Sequence, residues 1–533
     1  MNIQSSNDYY WTPPNQSPRS ADSVFKVPPG GNQEELQDTL NDISQQPTTT
    51  TETKQGAYGL VPIHKEPLWR QLLWHWDEMY YVILFLAWKQ IKSNSMIRSQ
   101  QQKQQDRYHK YADDLLFCND MLGKVSRSFS TVIRQLPPTL RVDVLVFYLI
   151  LRALDTIEDD VETFSKSPTT KREQVNLLKK FHQMALPSSA NANTYRNAIL
   201  NANNNSGNTT TPPIINQWSL HHVGQGDEQR LLQEFPRVQR IYNALSEESK
   251  TIIADITKRM GAGMAETVGN DLTRGTKDLD EYNQYCIYVA GLVGQGLSRL
   301  FAQSGVEASY LAEEIYLSNQ MGLFLQKTNI IRDYLEDYVE GRTFWPQSIW
   351  KKYDDGNDDL GYFSTFLNET DSEKASMIKE NALKCLNEMI TDALELVPSC
   401  LAYLSELQCL EVFRFCAIPQ VMAMATLANC YANSKVFTGV VKIRKGLSCK
   451  LIMKSSNNMD GVHRVFYEMA KSMEKKAHKL RRSGFMDPSY DALLDACDVI
   501  YTITEPAYRR HRRAKLVPVV FVAAVLACHI VPT

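Results

Sequence analysis

The chain has 533 residues, of which 43% are hydrophobic and 22% are charged. This composition is typical of a folded protein with enough apolar material for a large core. The 58 Lys and Arg residues nearly balance the 60 Asp and Glu residues, and the net charge of −2 argues against a nucleic-acid partner, so any anion chemistry must come from local clusters.

Residues 1–68 are predicted to be a disordered polar extension. Residues 1–55 are rich in Asn, Gln, Ser, Thr and Pro and include the run TTTTET at 48–53, a composition typical of disorder. They carry no cationic and apolar secretory signal, so the chain is expected to begin in the cytosol. The ten cysteines form no CxxC pair and no zinc-type spacing, which favours buried reduced thiols.

A segment dense in aromatic side chains covers residues 68–88 (LWRQLLWHWDEMYYVILFLAW). Its last part, from Tyr80 to Trp88, is continuously apolar but too short to span a bilayer. It is therefore either a helix that covers the core or an element at a membrane interface. Of the two, we favour the helix that covers the core.

Residues 69–508 are predicted to form one all-α domain. Long segments place apolar residues at the helical period and are separated by short turns such as GRTFWP at 341–346, and no alternating strand series is present. A low-complexity stretch at 187–226 is rich in Asn and Thr and is predicted to be an insertion between two helical parts.

The first acidic motif, DTIEDD at 155–160, ends a predicted helix whose residues 144–151 are VLVFYLIL. Asp155 and Asp159 lie one turn apart on the same face, with Glu158 beside them. Each pair of like charges at this spacing costs a free helix about 0.2–0.5 kcal/mol, and more when it is desolvated. A compensating cation is the simplest explanation.

A second motif, NIIRDYLED at 329–337, repeats this spacing with Asp333, Glu336 and Asp337. If the two helices face each other, the carboxylates can hold several Mg²⁺ ions, which bind oxygen ligands and phosphates. The two motifs therefore predict a metal site built from their carboxylates. The alternative is a pair of solvated acidic helix faces with ordinary Arg and Lys partners.

Each acidic motif continues into an apolar stripe on the same helix face. Leu151 and Phe147 precede Asp155 at four-residue steps, and Leu325 and Met321 precede Asn329 and Asp333. A cavity between two such helices fits a phosphorylated amphiphile, with the diphosphate at the metal and the hydrocarbon inside. An amphipathic core helix has the same pattern.

Basic residues accompany the acidic motifs. They occur in the segments SRSF at 126–129 and VKIRKG at 441–446, and at Arg152 and Arg332. Together they supply the donors that phosphates need, although each alone is more commonly a surface ion-pair partner.

Small and aromatic residues mark two further segments. YCIYVAGLVGQG at 285–296 is rich in Gly without being a dinucleotide fingerprint, and its spacing predicts close helix packing or a bend beside a cavity. Phe413 and Phe415 precede Pro419 in a predicted kinked helix. Such aromatics are usually core residues, but in a pocket that forms carbocations their ring faces stabilise positive charge.

The C-terminus, residues 509–533, is predicted to be a basic collar followed by a transmembrane tail anchor. Leu516 to Val531 (LVPVVFVAAVLACHIV) has His529 as its one polar side chain, and Arg509, Arg510, Arg512, Arg513 and Lys515 precede it. As a helix it measures about 24 Å, slightly less than the roughly 27 Å hydrocarbon layer of the endoplasmic reticulum. The cations should stay in the cytosol. The alternative is a buried C-terminal core helix.

The motifs together resemble the squalene synthase family of head-to-head prenyl synthases. The matching segments are SRSF (126–129), LRALDTIEDD (151–160), YCIYVAGLVG (285–294), GLFLQKTNIIRDYLED (322–337), FWP (344–346), FCAIPQVMA (415–423) and VKIRKG (441–446). The resemblance covers about residues 69–446. The polar N-terminal extension, the insertion and the DDGNDD residues at 354–359 depart from it.

This resemblance implies an all-α prenyl synthase fold around a central cavity and a reaction in two halves, the first committed step of sterol biosynthesis. Two farnesyl diphosphates would condense with Mg²⁺ to presqualene diphosphate, which NADPH would then reduce to squalene. In the first half, Mg²⁺ on Asp155, Glu158, Asp159, Asp333 and Asp337 would draw off one diphosphate. Tyr285 would act as the base, directly or with the departing diphosphate, and Asp155, Asp159, Asp333 and Asp337 count with it as catalytic residues.

The resemblance also implies roles for residues around this centre. Phe413 and Phe415 would lie near the later cations. Nucleotide binding is assigned to Arg127, Arg152, Arg332, Lys442 and Arg444, and substrate binding to Ser126, Ser128, Phe129, Tyr288 and Asn329. NADPH rests entirely on the resemblance, because no nucleotide-binding fold is visible in the sequence.

Two other functions remain open. Phytoene or dehydrosqualene synthases share the acidic motifs but need no hydride and typically lack both VKIRKG and a tail anchor. A membrane-tethered scaffold without activity would have lost the carboxylates or Tyr285. We expect a monomer on the endoplasmic-reticulum membrane, with the catalytic domain in the cytosol.

Overall fold

The structure, a computed structural model, describes residues 61–64, 66–67, 75, 77–86, 108–126, 129–186, 220–270 and 272–530. The side chains of His109 and of residues 513–530 are outside this description. The described part is almost entirely helical, as predicted, and its one sheet consists of two strands.

The first half of the chain contains eleven of the α-helices that the structure describes. They are α1 (77–86), α2 (Ala112–Val125), α3 (Phe129–Ile133), α4 (Pro138–Asp159), α5 (Val161–Phe164), α6 (Pro168–Ala185), α7 (Gly226–Gln233), α8 (Phe235–Asn243), α9 (Glu247–Gly269), α10 (Leu279–Cys286) and α11 (Leu292–Gln303). A π-helical segment, Ile287–Gly291, joins α10 to α11.

The second half contains the remaining described helices. They are α12 (Ile315–Arg332), α13 (Tyr334–Val339), α14 (Gln347–Trp350), α15 (Ser372–Leu394), α16 (Val397–Glu406), α17 (Leu410–Cys430), α18 (Lys445–Ser455), α19 (Met459–Arg482) and α20 (Tyr490–Ile530). Short 3₁₀ helices cover His109–Tyr111, Ser309–Ala312, Leu360–Leu367 and Ser434–Phe437. Strands β1 (Ile63–His64) and β2 (Val440–Val441) pair in parallel.

Local sequence explains where several helices begin. Ser167 caps α6 and forms a reciprocal capping box with Thr170, while Asp278 and Asn458 accept backbone N–H groups at the first turns of α10 and α19. Pro138 lies at the first position of α4, where its missing N–H costs nothing. These side chains satisfy donors that a helix leaves unpaired at its N-terminus.

The central helices bring the two acidic motifs to one region. Helices α4 and α12 both pack against α11, and the π-helical segment packs against α12. Close contact is possible because Gly294 and Gly322 have no side chains: a Cβ atom on either would lie 2.3 Å from a backbone oxygen, of Ser318 and Ala290 respectively. The prediction of close packing at this glycine-rich segment is confirmed.

The apolar helix α17 lies in the core rather than in a membrane. Leu410–Cys430 is long and apolar enough to cross a bilayer, but 78% of its most apolar window is buried inside the protein. It packs against α12, α18 and α19. Length and composition alone therefore do not identify it as a membrane span.

Several predicted boundaries differ from the structure. The extension predicted for residues 1–68 includes β1, whose two residues pair with β2, so ordered structure begins before residue 69. The insertion predicted to end at residue 226 ends earlier, because Leu220 and Val223 are buried. The collar predicted from Arg509 continues α20 without a break. Residues 1–60 and 187–219 lie outside the described residues.

The described part of the apolar segment that begins at Tyr80 has one exposed side and one half-buried side. Tyr80, Ile83 and Leu86 on α1 are 59%, 64% and 59% exposed, whereas Tyr81, Val82, Leu84 and Phe85 are half-buried. A helix that covers the core has the same pattern, so its preferred position stays a prediction. Residues 87–88 lie outside the described residues.

The attachment of β1 should depend on pH through His64. Its Nε2 atom lies 2.8 Å from Thr438 Oγ1, and burial, with Lys435 nearby, lowers the pKa of His64 below its ordinary value of 6.5. The unfolded chain therefore binds a proton first as the pH falls through about 6.5. Stability from this contact is fully present above that pH and is lost below it.

Hydrogen exchange can measure this effect. The Val440 N–H donates to Pro62 O at 2.9 Å, and we expect its protection factor to fall between pH 7.5 and about 5.5. His64→Gln, which does not titrate, should flatten the dependence. A native protection factor that stays constant over this range would contradict the prediction.

Candidate active site

The first acidic motif occupies the C-terminal end of α4. Arg152 lies 3.8 Å from Asp155 and 2.8 Å from Glu228 on α7. The side chain of Asp155 remains 30% exposed, so the motif borders a cleft that solvent enters. Asp155 of this motif and Glu228 of the neighbouring helix thus share the guanidinium of Arg152.

The second acidic motif lies at a helix junction and not on one continuous helix. Helix α12 ends at Arg332 and α13 begins at Tyr334, while Asp333 has φ −96° and ψ 17°. The backbone bonds from Asp333 N to Asn329 O and from Asp337 N to Asp333 O nevertheless persist, each at 2.9 Å. The spacing of the carboxylates is kept, while Arg332 pairs with Asp333 through an Nε to Oδ1 contact of 2.7 Å.

Arg342 joins the two motifs. Its guanidinium contacts Asp159 of the first motif and Glu340, the latter at 2.7 Å. Its backbone N–H donates to Asp337 O of the second motif at 2.8 Å. The sequence predicts only a turn at Arg342. The available signal was an Arg five residues after Asp337.

Burial and mutual repulsion shift the titration of the carboxylates. Burial, reinforced by Asp159 and Glu228 and opposed by Arg152, raises the pKa of Asp155 to about 7. Burial also raises the pKa of Glu158 and of Asp337 well above the ordinary values, and Arg342 opposes both shifts. Negative charge is therefore costly in this cleft unless further cations are present.

This charge balance fits divalent metal binding. The residues that the structure describes contain no group of three or more His, Cys, Asp or Glu side chains close enough to hold a metal ion. The two motifs nevertheless supply carboxylate oxygens, the donors that Mg²⁺ prefers. Burial is the main cause of their raised pKa values, and repulsion between neighbouring carboxylates adds to it. A divalent cation would favour their charged form.

Tyr285 lies buried between the two motifs. Its ring stacks on Phe344 with a centroid distance of 4.6 Å and an interplanar angle of 10°. Burial and the nearby charges of Glu158 and Asp159 raise the pKa of Tyr285 well above 10. At neutral pH it is a protonated phenol and therefore a hydrogen-bond donor in the cleft.

The residues predicted to bind substrate are spread along the helices around this cleft. Ser126 is buried and its hydroxyl bonds to Leu122 O, while the ring of Phe129 packs 6.1 Å from that of Tyr148, one turn before Arg152 on α4. Asn329 is exposed one turn before Asp333. Ser128 lies outside the described residues.

Tyr288 belongs to the π-helical segment. Its hydroxyl donates to Glu266 at 3.1 Å, and its ring packs against Gly263, where a Cβ atom would lie 2.2 Å from the ring. Tyr288 and Tyr285 are three residues apart, so a rare π turn positions both. Such turns are frequent at functional sites.

The two predicted aromatics of α17 are buried in the interior. Phe413 and Phe415 are 6% and 5% exposed, and Phe415 meets Phe301 of α11 edge to face at 5.9 Å. Because α17 packs against α12, both belong to the helix layer next to the second acidic motif. Their contacts are those of core aromatics.

The residues predicted to bind a nucleotide form two groups. Arg152 and Arg332 lie at the acidic motifs, as described above. Lys442 follows β2, which packs against α13, while Arg444 forms a bidentate pair with Glu78 of α1 at 2.7 and 3.2 Å. Arg127 lies outside the described residues.

A separate surface cavity of about 560 Å³ lies at α2 and α8. Arg237 and Arg240 line it, but both are paired with Asp114, at 3.1 and 2.7 Å. These pairs hold the pKa of Asp114 below its ordinary value. The cavity shares no lining residue with the acidic motifs. The charges of Arg237 and Arg240 are compensated by Asp114.

Comparisons with known proteins agree with this arrangement. A family model described as squalene/phytoene synthase matches residues 122–446. Squalene synthase 2 of Panax ginseng is 43% identical over 363 residues, covering 68% of this chain and 74% of that protein. Squalene synthase of Mus musculus is 40% identical over 378 residues, covering 71% and 77%.

A solved structure has a similar fold. The complex of TcSQS with the ligand BPH1237 has a TM-score of 0.60 and 34% sequence identity. It covers 74% of this chain and 99% of that chain. The helical body around the acidic motifs therefore corresponds to almost the whole of that solved chain.

Mg²⁺ should stabilise the folded chain through the two acidic motifs. Because it would bind the folded state and relieve the repulsion, we expect saturating Mg²⁺ to raise the melting temperature by at least about 2 °C over EDTA. Asp337→Asn should remove at least about half of this shift. The exposed Asp498→Asn on α20 is the matched control, and an equal loss in both variants would contradict the prediction.

Arg342 should compensate the same charges as the metal. In EDTA we expect Arg342→Gln to lower the melting temperature by about 2–4 °C, because Asp159 loses its cation. The Mg²⁺-induced rise should then exceed that of the native chain. Arg342→Lys, which keeps the charge, should lie between the two. A Mg²⁺ response unchanged in Arg342→Gln would show that the arginine and the metal act on different groups.

Proposed function

The chain belongs to the squalene/phytoene synthase family, and on this basis we propose that it acts as a squalene synthase, joining two molecules of farnesyl diphosphate head to head and reducing the product to squalene. The observation that carries this assignment is the cleft in which Arg342 and Tyr285 lie between both acidic motifs. A diphosphate in this cleft would meet cations and a phenolic donor together.

The chain's own cations would orient the diphosphate. Arg152 and Arg332 stand at the two motifs, and guanidinium groups bind phosphate oxygens through paired hydrogen bonds. Mg²⁺ held by Asp155, Glu158, Asp159, Asp333 and Asp337 would supply the positive charge that favours diphosphate departure. The apolar residues that precede each motif on α4 and α12 would hold the hydrocarbon and exclude water.

Tyr285 would act as a hydrogen-bond donor in the first half-reaction. Its raised pKa disfavours the phenolate that a general base requires at neutral pH. The phenol can instead donate to an oxygen of the departing diphosphate. That diphosphate would then accept the proton lost when the cyclopropane of presqualene diphosphate closes.

NADPH would supply the hydride of the second half-reaction. Its phosphates fit the guanidinium and ammonium groups of Arg127, Arg152, Arg332, Lys442 and Arg444 by charge. Because Arg444 is paired with Glu78, its use for a phosphate requires that this carboxylate be exchanged. Phe413 and Phe415 would place ring faces near the later cations.

The enzyme would be anchored in the endoplasmic-reticulum membrane by its C-terminal tail. The backbone of α20 stays helical as far as Ile530, and the continuously apolar sequence begins at Leu516, after the cations Arg509, Arg510, Arg512, Arg513 and Lys515. The positive-inside rule then places the catalytic body in the cytosol. We propose a monomer, with farnesyl diphosphate as the substrate.

A product assay with the full chain in detergent tests the proposed function. Farnesyl diphosphate with Mg²⁺ should give squalene when NADPH is present and presqualene diphosphate or a rearranged alcohol when it is absent. A C40 product would favour the phytoene synthase branch of the family. No turnover with either substrate combination would contradict the proposal.

Variants assign the roles within this assay. Asp155→Asn should lower kcat at least about hundredfold while the chain stays folded, whereas Asp498→Asn should be unchanged. Tyr285→Phe removes the phenolic donor and should lower formation of presqualene diphosphate at least about tenfold. With presqualene diphosphate supplied as the substrate, Tyr285→Phe should lose much less activity, and an equal loss in both half-reactions would contradict its role in the first.

A further inference from the structure

Helix α1 presents an apolar face that no described residue covers. From Met79 to Leu86 its sequence is MYYVILFL, without a polar residue other than the two tyrosines. Met79, Tyr80, Ile83 and Leu86 are 44%, 59%, 64% and 59% exposed. At 100° per residue these four lie on one side of the helix. Exposure of this kind marks a protein or membrane contact.

The side of α1 opposite this apolar face is attached to the folded body. Glu78 is 4% exposed and bonds to the guanidinium of Arg444, while Asp77 pairs with Lys450 of α18 at 2.6 Å. Gly446 permits this approach, because a Cβ atom there would lie 2.7 Å from Glu78 Cβ. The apolar face is therefore held outward by contacts on its polar side.

A short series of contacts connects α1 to the start of the C-terminal tail. Helix α18 packs against α19, and Asp460 in the first turn of α19 pairs with Arg510 of α20 at 2.7 Å. The chain between Lys450 and Asp460 spans at most about 26 Å. The Cα atoms of Lys450 and Asp460, the partners of α1 and α20, are therefore at most about 26 Å apart, and the continuously apolar sequence begins six residues after Arg510, at Leu516.

The chemistry of α1 and of the chain after it suits a lipid surface. A ten-residue helix is about 15 Å long, which is too short to span a bilayer but sufficient to lie in its interface. In sequence, positions 87–107 contain Lys89, Lys92, Arg98, Lys103 and Arg107 against Asp106 alone. Anionic headgroups attract such a segment.

We propose that α1 is a second membrane contact, which lies in the cytosolic interface of the bilayer with Met79, Tyr80, Ile83 and Leu86 among the lipids. This proposal rests on the tail anchor proposed above. Two contacts, both attached through α18 and α19, would fix the orientation of the catalytic domain relative to the membrane.

Site-specific photo-crosslinking tests the contact in the full chain. A benzoyl-phenylalanine replaces Ile83 in one preparation and Met486 in another, each in vesicles of phosphatidylcholine and phosphatidylserine. Met486 is the matched control, because it is also 64% exposed but lies between α19 and α20, at the end of the helix pair away from Arg510. Because both positions are exposed, we expect neither substitution to disturb folding. An unchanged melting temperature and unchanged squalene production check this.

We expect a lipid adduct at position 83 that exceeds the one at position 486 at least about tenfold. Crosslinking of position 83 to another segment of this chain or to a second copy, or no preference over position 486, would overturn the proposal. Flotation of the vesicles reports separately on the tail. If the protein floats but gives no lipid adduct at position 83, the tail anchor holds and the contact of α1 is contradicted. If the protein does not float, both membrane contacts are contradicted. The activity measurement tests the proposed enzymatic function separately from both.

Discussion

Burial of the carboxylates in the two acidic motifs opposes their negative charge, and the folded chain must compensate that charge where the helices pack. Burial raises the pKa values of Asp155, Glu158 and Asp337. Arg342 contacts one motif through its side chain and the other through its backbone. It supplies part of the compensation, and the proposed Mg²⁺ would supply the rest.

The packing around the cleft serves this electrostatic arrangement. Gly294 and Gly322 let α11, α12 and the π-helical segment approach until backbone atoms touch, which fixes the position of the second acidic motif relative to the first. The π-helical segment begins two residues after Tyr285, whose ring stacks on Phe344. A phenol with a raised pKa thus lies next to the backbone segment that brings the helices together.

At the periphery of the protein, charged side chains are again paired, and an apolar surface faces outward. Arg444, in the segment that the resemblance assigns to a nucleotide, is paired with Glu78 in this structure. That pair helps to attach α1 to the folded body, together with the pair of Asp77 and Lys450. Arg444 therefore belongs both to the segment of the proposed nucleotide site and to the attachment of the proposed membrane contact.

The sequence by itself determined the all-α fold, the two acidic motifs, the close packing at the glycine-rich segment and the resemblance to squalene synthases. These depend on local periodicity and on residue order, which can be read from the chain without knowing which elements pack against each other. Only the tertiary structure revealed the bridging role of Arg342, the helix break at Asp333, the strand before residue 69 and the exposure of α1. Each of these depends on which distant element lies opposite a residue, and local periodicity describes one face of a helix without identifying what packs against it.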